Sequence, residues 1–571
     1  MDAATELRRA ADAYWDDLLR DSPVLATILG DRRFDDRLDD RSPEGVARSE
    51  AMLRGHLDAA RAIDEAGLST ADRVTRQTLV DVIEGQLAAL GTRIYEWNVD
   101  PMNGPQTTFL DLPDFQTVTT PEEGRDLVAR WRAMGRYFDQ AIADLRESMA
   151  EGRVAVREPV VRTIDELHGL ATLAPADWKL AAPARLPLDD WSARDRDAFR
   201  SAVLGAVTEV AIPAFWRYRD ALEGHVMPAA RSNDQPGLCH IPGGGAAYRA
   251  MIRDHTSLDL DPEAVHRTGL DEIARIDAAF VELGARLLQT PDLATTLASL
   301  RTDPKLRFTT AEEVFDTAQR SLDRATAAIP DWFGRLPQAP CEVVPVPEHA
   351  QAHQTIAYYF APAFDGSRPG RYYINLYQPD TRPRYEAECL AFHESVPGHH
   401  LQLAIAQEIE GIPAFQRNLG STAFIEGWGL YSERLSNEMG LYSDELDQFG
   451  VLSYDAWRAG RLVVDTGIHA FGWTRRQAIG FLHDHSALAD NNIANEVDRY
   501  ICMPAQALAY KTGQLEILRL REDARRRLGD RFDIKGFHDT VLGSGAVSLP
   551  TLGNLVAAWV EELAREVARP G

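Results

Sequence analysis

Cysteine, positive charge and long apolar runs are all scarce in this sequence. It has 4 cysteines in 571 residues and no CxxC pair, so no disulfide framework is predicted and the thiols are expected to be reduced and mostly buried. Lysine and arginine number 61 against 87 aspartates and glutamates, a formal net charge of −26. This excess of acid disfavours nucleic acids and anionic membranes as partners, because both bind basic surfaces.

No stretch approaches about 18 continuous apolar residues, so a membrane span is not expected. The N-terminal segment MDAATELRRAADAYWDDLL is charged and amphipathic and lacks the apolar core of a signal peptide. A composition of 45% hydrophobic and 26% charged residues is typical of a globular protein. We therefore expect a cytoplasmic protein without a membrane partner.

Helical patterns dominate what is present. Apolar residues recur at three-and-four spacing over 43–65, 121–150, 196–224, 262–289, 311–328, 384–396, 454–485 and 502–528. Ser42, Thr120 and Asp261 each precede a proline and early acids, which indicates a helix start. Strand patterns are few, and the best are at 341–346, 355–360 and 372–376. They predict a small antiparallel sheet just upstream of a histidine motif.

That motif, HESVPGHH, begins at His393 and departs from the zinc-peptidase pattern His-Glu-x-x-His. Pro397 stands where the second histidine of that pattern would be. Because proline lacks a backbone N–H and Gly398 can adopt unusual dihedral angles, the two are expected to distort the helix. The distortion can bring His399 towards His393, whereas a regular helix would place His400 about two turns along the same face. The spacing predicts a metal site, and geometry alone does not choose between His399 and His400.

A third ligand is needed, because catalytic zinc typically takes three protein ligands and keeps one position open. Downstream, AFIEGWGLYSERL places Glu426 and Glu433 on one helical face among apolar and aromatic residues. At least one carboxylate should then be partly buried and need a partner, such as a metal or a ligand histidine. The glycines on either side of Trp428 predict close packing against another backbone, such as that of the metal-bearing helix. The alternative is a solvated acidic face.

HESVPGHH followed by FIEGWGLYSE resembles the bacterial family known as domain of unknown function 885, regarded as zinc metallopeptidases with an HExxPGH signature and an EGWxLY helix. The likeness runs nearly end to end, from SPVLATILGDRRFDDRL near the N-terminus to VLGSGAVSLPTL near the C-terminus. Gly429 replaces the alanine usual in the family's helix. No candidate ligand is missing.

The resemblance implies a mainly α fold similar to that of gluzincin peptidases. We expect a large, two-lobed helical body with a deep channel and a small antiparallel sheet next to the metal site. Residues 1–571 would form a single catalytic unit, with a helical N-terminal part over 1–335 and a metal-site part over 336–571.

The resemblance also assigns roles to the motif residues. His393, His399 and Glu426 would bind one zinc ion. Glu394 would act as general base, taking a proton from the attacking water and passing it to the leaving amine. His400 would support the ligands or face the substrate.

Other polar residues are weaker candidates. Tyr510 would stabilise the oxyanion, by analogy with a gluzincin tyrosine, or would pack in the core. Glu433 would orient a ligand histidine. Asn375 would pair with the substrate backbone if its strand is an exposed edge.

Two further groups lie on downstream helices. Arg461, Asp465 and His469 share one helix face and would either bind substrate or form a packing ion pair. Arg499 and Tyr500 would hold a substrate carboxylate, with a solvated charge as the alternative for Arg499.

The residues predict a zinc-dependent hydrolase that cleaves a peptide or a related small amide. Two histidines and a carboxylate also describe a non-haem iron redox enzyme, but such an enzyme does not need the adjacent base Glu394. A catalytically idle binding protein is a third hypothesis. The complete set of His393, Glu394, His399 and Glu426 argues against it. The sequence does not identify the substrate or the oligomeric state.

Overall fold

A computed structural model describes residues 2–348, 351, 355–363 and 368–566 of the chain. It is mainly helical with one small sheet. In the part of the chain before the sheet, the α-helices are α1 Ala3–Asp21, α2 Pro23–Ile28, α3 Pro43–Ala62, α4 Thr70–Thr92, α5 Ile94–Trp97, α6 Pro105–Phe115, α7 Pro121–Ala150, α8 Arg157–Ala171, α9 Ala193–Ala206, α10 Ile212–Ala221, α11 Met227–Ala229, α12 Gly244–Thr256, α13 Pro262–Leu287, α14 Leu293–Thr302 and α15 Ala311–Ala328.

The rest of the described chain holds the sheet and ten helices. The strands are β1 Cys341–Pro345, β2 Ala357–Phe360 and β3 Gly370–Ile374. The helices are α16 Arg384–Glu394, α17 His399–Glu408, α18 Ala414–Asn418, α19 Thr422–Glu438, α20 Gln448–His469, α21 Arg475–His485, α22 Asp490–Cys502, α23 Leu508–Leu528, α24 Ile534–Leu542 and α25 Leu549–Glu566.

The predicted helix starts are confirmed. The side chains of Ser42, Thr120 and Asp261 each accept a hydrogen bond from a backbone N–H in the first turn of α3, α7 and α13. Glu123 accepts a hydrogen bond from the backbone N–H of Thr120, which completes a capping box. These caps satisfy amide groups that have no partner inside the helix.

Three predicted helices differ from the observed ones in length or in regularity. The predicted 454–485 helix is two helices, because Gly472 adopts a positive φ of 71° and Thr474 caps the start of α21. The predicted 502–528 helix begins only at Leu508, after Ala505 with a φ of 69°. The predicted 196–224 helix contains wider π turns at Val207–Ala211 and Leu222–Val226.

The sheet is mixed, so the prediction of an antiparallel sheet is wrong in part. Its order is β1-β3-β2, with β2 antiparallel and β1 parallel to the central strand β3. Strand residues can be recognised from local patterns, but the direction of pairing depends on contacts between distant segments. The sheet does lie beside the histidine motif, as expected, because Tyr359 of β2 contacts His400.

Two large hydrophobic clusters fill the molecule. One packs the sheet, α15, α16, α17, α19 and α23 to α25 around Phe392, Trp428 and Tyr431. The other packs α6 to α10 around Trp131, Phe138 and Trp178. Helices from opposite sides of residue 335 also pack together, since α13 lies along α20. The division into two lobes, and the single catalytic unit, stay predictions.

Helices α19 and α23 approach each other closely. A Cβ atom on Gly427 of α19 would lie 2.5 Å from the backbone of Gly513 in α23, and one on Gly513 would lie 1.8 Å from the carbonyl oxygen of Ala423. The predicted close packing next to Trp428 is thus present, but the backbone that Gly427 meets belongs to α23 and not to the histidine-bearing helix α16.

All four cysteines are free thiols, which agrees with the predicted lack of disulfides. Cys389 and Cys502 are buried, whereas Cys341 is only partly buried and Cys239 is exposed. The expectation of mostly buried thiols therefore holds for two of them.

One stretch of the described chain, Ala193–Ala229, is long and apolar enough to cross a membrane by length and composition alone. Only 39% of its most apolar part is buried. Phe199, Val203 and Phe215 on its inner side pack into the second cluster. Since core helices share this composition, the stretch does not establish a membrane span, and the expected absence of a membrane partner stays a prediction.

Candidate metal centre

The histidine motif lies at a break between two helices. α16 ends at Glu394 and α17 begins at His399, so the predicted distortion at the Pro-Gly pair is confirmed. A Cβ atom on Gly398 would lie 2.0 Å from the carbonyl oxygen of His393, so only glycine fits. Trp428 of α19 donates from Nε1 to the carbonyl oxygen of Pro397 at 2.9 Å and ties the break to that helix.

The break brings His393 and His399 to the same carboxylate. Nε2 of His399 lies 3.6 Å and Nε2 of His393 lies 4.0 Å from Oε2 of Glu426. The two imidazole rings stand nearly perpendicular, with centroids 4.7 Å apart. All three ligand atoms lie within 4.8 Å of one another, so this group could hold a metal ion. We call these three residues the triad.

His400 faces away from the triad. Its Nε2 lies 3.1 Å from the carbonyl oxygen of Ala339, and its Nδ1 lies 2.9 Å from the hydroxyl of Tyr359. Both ring nitrogens therefore have partners, and burial lowers the pKa of His400 to about 4. Of the two histidines that spacing left open, the structure places His399 beside His393 and Glu426.

Glu433 supports the triad from behind. Its Oε1 lies 2.8 Å from Nδ1 of His393, and both side chains are buried. A carboxylate that accepts a hydrogen bond from Nδ1 leaves Nε2 of the ring free to bind a metal. Gly429 makes room for this ring, since a Cβ atom there would lie 2.7 Å from Cε1 of His393. Glu433 thus contacts a ligand histidine candidate, and its orienting role stays a prediction.

The charges of the triad favour a cation between its members. Burial alone would raise the pKa of Glu426, but the close approach of His399, the charge of His393 and a hydrogen bond from Tyr510 hold it down to about 2. Burial disfavours the charged form of His399, yet its pKa is raised by Glu426 and by the charge of Glu394. An arrangement that attracts a proton between imidazole and carboxylate also attracts a divalent cation.

The donor set fits zinc. Two imidazole nitrogens and one carboxylate oxygen are a ligand set of catalytic zinc sites, which keep a fourth position open. Tetrahedral zinc bonds of about 2.0–2.1 Å separate ligand atoms by about 3.3 Å, and the triad atoms, at 3.6 and 4.0 Å from Glu426 to the histidines, would close in by a few tenths of an ångström or more around an ion. The Glu426 side chain is 19% exposed, so the triad is open to solvent on that side.

Glu394 and Tyr510 come from elements next to the triad. Glu394 follows His393 at the end of α16, and Tyr510 lies on α23, which packs closely against α19. Burial raises the pKa of Glu394 to about 7, with His399 opposing and Glu426 adding to the effect. Burial also raises the pKa of Tyr510, and the charge of Glu426 adds to the effect. The catalytic roles of the two residues stay predictions.

Several predicted substrate-binding residues instead hold the fold together. His469 accepts from the backbone N–H of Leu238 at Nδ1 and donates from Nε2 to the carbonyl oxygen of Tyr500. Asp465 accepts from the hydroxyl of Tyr248 at 2.6 Å and from the backbone N–H of Ala505 at 3.1 Å. The polar stripe predicted on α20 is therefore not a continuous substrate-binding surface, because Asp465 and His469 make buried hydrogen bonds within the protein.

Asn375 does not lie on an exposed edge. It follows β3, which pairs on both sides, so the condition for pairing with a substrate backbone is not met. Its side chain donates to the carbonyl oxygens of Gln351 at 2.7 Å and Thr355 at 3.2 Å. The residue is thus bonded to Gln351 and Thr355, which precede β2.

Arg461, Arg499 and Tyr500 form one buried network around Glu496. Arg461 donates to the Tyr500 hydroxyl at 2.9 Å and to Glu496 at 3.0 Å, and Arg499 donates to Glu496 at 2.9 Å. Tyr500 donates to the same carboxylate at 2.7 Å. Arg499 is thus paired and not a solvated charge, and it also donates to Gln506 at 2.7 Å.

Sequence reasoning missed Arg458. It lies on α20 with its guanidinium 4.5 Å from the ring of Tyr454 and 4.2 Å from that of Trp457. Only 5% of the residue is exposed. Its position three residues before Arg461 in a strongly aromatic helix was the available signal.

Comparison with known proteins agrees with the family resemblance. Residues 23–556 match the model of a family described as bacterial protein of unknown function (DUF885). The fold is similar to that of a candidate lipoprotein from Colwellia psychrerythraea, with a TM-score of 0.89, 27% identity and coverage of 98% of this chain and 99% of that one. A candidate lipoprotein of unknown function from Shewanella oneidensis matches with a TM-score of 0.77, 17% identity and coverage of 96% and 99%. No curated protein matches the chain.

Proposed function

The chain belongs to the DUF885 family of bacterial proteins of unknown function, and we propose that it is a zinc-dependent hydrolase of a peptide or related amide bond. The observation that carries this proposal is the triad of His393, His399 and Glu426 with the carboxylate of Glu394 beside it. Metal-assisted hydrolysis needs both a Lewis acid and a base. A site built only to hold a metal would not need that base.

His393, His399 and Glu426 would hold the zinc ion, with Glu433 fixing the orientation of His393 through its 2.8 Å contact. The ion would supply Lewis acidity that polarises the scissile carbonyl. Glu394 would take a proton from the attacking water and deliver it to the leaving amine. A carboxylate whose pKa is about 7, raised by burial, can exchange protons in both directions near neutral pH.

Tyr510 would donate a hydrogen bond to the oxyanion that develops on the substrate. Because burial raises the pKa of its hydroxyl, the group stays protonated and is a donor at neutral pH. The close packing of α19 and α23, which carry Glu426 and Tyr510, supports this role. Tyr510→Phe should therefore lower kcat more than it raises KM.

The test is a digest of a dipeptide and oligopeptide library by the zinc-loaded protein, with metal analysis of the same sample. Glu394→Gln is the matched control, since it removes the base and leaves the three ligands in place. We expect turnover by the natural protein and a loss of at least about 10²-fold in Glu394→Gln. Unchanged turnover in Glu394→Gln would refute the mechanism. Bound iron with oxygen uptake would favour a redox enzyme, and bound zinc without any turnover would favour a specialised amide substrate or an idle site.

The finer fold and location predictions also belong to this proposal. The mainly helical fold and the sheet beside the triad support a gluzincin-like architecture with a substrate channel. A cytoplasmic location is the expectation from the sequence, whereas the lipoprotein descriptions of the two relatives favour the cell envelope. Fractionation of the native host, with detection of this chain, would decide between the two compartments.

A further inference from the structure

Two buried arginines on α20 carry nitrogen atoms that lack a partner. Arg458 is 5% and Arg461 3% exposed. Among the described residues, Nε and Nη1 of Arg458 and Nη1 of Arg461 are buried without a hydrogen bond. Guanidinium nitrogens are obligate donors, and burying them unpaired is costly. Two such groups three residues apart call for an acceptor that is not part of the chain.

Aromatic rings hold both guanidinium groups next to the proposed catalytic tyrosine. Arg461 lies 4.3 Å from the ring centroid of Tyr510, and Arg458 lies 6.0 Å from it. Both also stack on Trp457, at 4.4 Å and 4.2 Å. Stacking fixes the planes of the guanidinium groups but leaves their N–H edges free to donate.

The neighbouring acids already have other partners. Arg461 uses Nε and Nη2 on Tyr500 and Glu496, which fixes the side chain and leaves Nη1 over. No ion pair joins Arg458 to any acid in the described part of the chain. Burial raises the pKa of Glu386 and Glu433 and the charge of Arg458 lowers it, but these acids accept hydrogen bonds from Ser453 and His393. Within the described ranges, no acid is therefore paired with Arg458.

The helix that carries Tyr510 lies against the helix that carries Glu426. A Cβ atom on Gly427 of α19, next to Glu426, would lie 2.5 Å from the backbone of Gly513, which is about one turn after Tyr510 on α23. The two guanidinium groups, which lie near the ring of Tyr510, are therefore close enough to the triad to bind one end of a substrate whose scissile bond is at the triad.

We propose that Arg458 and Arg461 bind a carboxylate of the substrate beside Tyr510. A planar carboxylate matches the donor geometry of guanidinium. Its charge would balance Arg458, which has no ion pair among the described residues, and it would accept from the unpaired Nη1 of Arg461. This inference rests on the proposed hydrolytic function and narrows its substrates to molecules that carry a free carboxylate. The carboxylate could be the C-terminal group of a short peptide or an acidic side chain, which share this chemistry.

Binding can be measured without turnover. Isothermal titration calorimetry on zinc-loaded Glu394→Gln protein would compare the dipeptide Ala-Ala with its C-terminal amide, and Ala-Glu-amide with Ala-Gln-amide. We expect one acidic member to bind at least about tenfold more tightly than its uncharged partner, and which pair responds identifies the source of the carboxylate. Equal affinities in both pairs, including no detectable binding of any of the four, would overturn the proposal.

The arginines are tested by repeating the titrations in Arg458→Gln and Arg461→Gln. The preference for the acidic peptide, measured as the ratio of the two affinities in the responding pair, should fall to about twofold or less in each variant. Arg458→Lys and Arg461→Lys should retain part of this preference. Arg521→Gln is the matched control, because Arg521 is a buried arginine on α23 whose partner Glu438 is 43% exposed. The preference of the Arg521→Gln protein for the acidic peptide should equal that of the protein with Arg521. A preference that survives in both arginine variants would overturn the assignment.

Kinetics separate this inference from the proposed function. If the natural protein hydrolyses acidic and amidated peptides with equal kcat/KM, the proposed hydrolase function is supported and the proposed carboxylate site is refuted. If acidic peptides bind preferentially but Glu394→Gln has no effect on turnover, the proposed carboxylate site is supported and the role of Glu394 as general base is refuted. If Arg458→Gln lowers turnover of both substrate forms equally and shifts the pH profile, Arg458 acts on Glu394 and does not bind substrate.

Discussion

Nδ1 of His393 lies 2.8 Å from Oε1 of Glu433, and both side chains are buried. The contact joins the end of α16 to the middle of α19. It holds the imidazole so that Nε2 points at Glu426, while Gly429 leaves space for the ring. The orientation of the proposed ligand is therefore set by a residue that does not itself bind the metal.

Glu433→Ala should weaken zinc binding by about 10- to 100-fold, because His393 loses the acceptor that fixes its ring and tautomer. Competition with a chelator of known affinity would measure the change. Glu433→Gln keeps an acceptor for Nδ1 and should lose less. Equal zinc affinity in Glu433→Ala and the natural protein would show that the contact does not orient a ligand.

Gly513→Ala should lower the free energy of unfolding by about 3 kcal/mol or more, because the new Cβ atom would lie 1.8 Å from the carbonyl oxygen of Ala423. The helices would have to separate, and the gain in helix propensity is only about 1 kcal/mol. Thermal unfolding would measure the change.

The matched control is Gly480→Ala in α21, where a Cβ atom would meet nothing within 4 Å. This variant should be neutral or more stable by up to about 1 kcal/mol. Because α19 carries Glu426 and α23 carries Tyr510, Gly513→Ala should also weaken zinc binding, and Gly480→Ala should not. Similar stability of the two variants would contradict the close packing of α19 and α23.

Asp465 should make stability depend on pH. Burial raises its pKa to about 7, against hydrogen bonds from Tyr248 and Ala505. Between about pH 4 and 7 the folded state keeps a proton that the unfolded state releases, so this contribution is full below the unfolded pKa and is lost as the pH rises towards 7. The slope is on the order of 1 kcal/mol per pH unit.

Asp465→Asn removes the titrating group and keeps an acceptor for the backbone N–H of Ala505. Its free energy of unfolding, measured by urea at several pH values, should fall less between pH 4 and 7 than that of the natural protein. Parallel pH profiles for the two proteins would show that Asp465 is charged in the folded state over this range.

Local signals predicted much of the fold. Ser42, Thr120 and Asp261 start helices because their side chains cap amides a few residues away, which depends only on neighbouring sequence. The helix break follows from the lack of an N–H at Pro397 and the lack of a Cβ at Gly398 for the same reason. The order of the strands depends on pairing between distant segments, so the parallel pairing of β1 and β3 could not be read from local patterns.

The site was predictable where residue type and spacing limit the chemistry. His393, Glu394 and Glu426 follow from two motifs, whereas the position of His399 depends on the path of the backbone through the break. Arg458 offers only a weak signal, its place three residues before Arg461 among aromatic residues, because its significance lies in the partners that surround it and in those it lacks. Asp465 and His469 share the expected helix face, but residues from distant parts of the chain, Tyr248, Ala505, Leu238 and Tyr500, take up their hydrogen bonds.

The most direct test of the metal centre is the zinc content of the natural protein, His399→Gln and His400→Gln after dialysis against the same free zinc concentration. The natural protein and His400→Gln should each retain about one zinc ion per chain, because His400 is bound to Ala339 and Tyr359. His399→Gln should lose most of its zinc. Retention of zinc by His399→Gln together with its loss from His400→Gln would contradict the assignment of His393, His399 and Glu426 as the metal site.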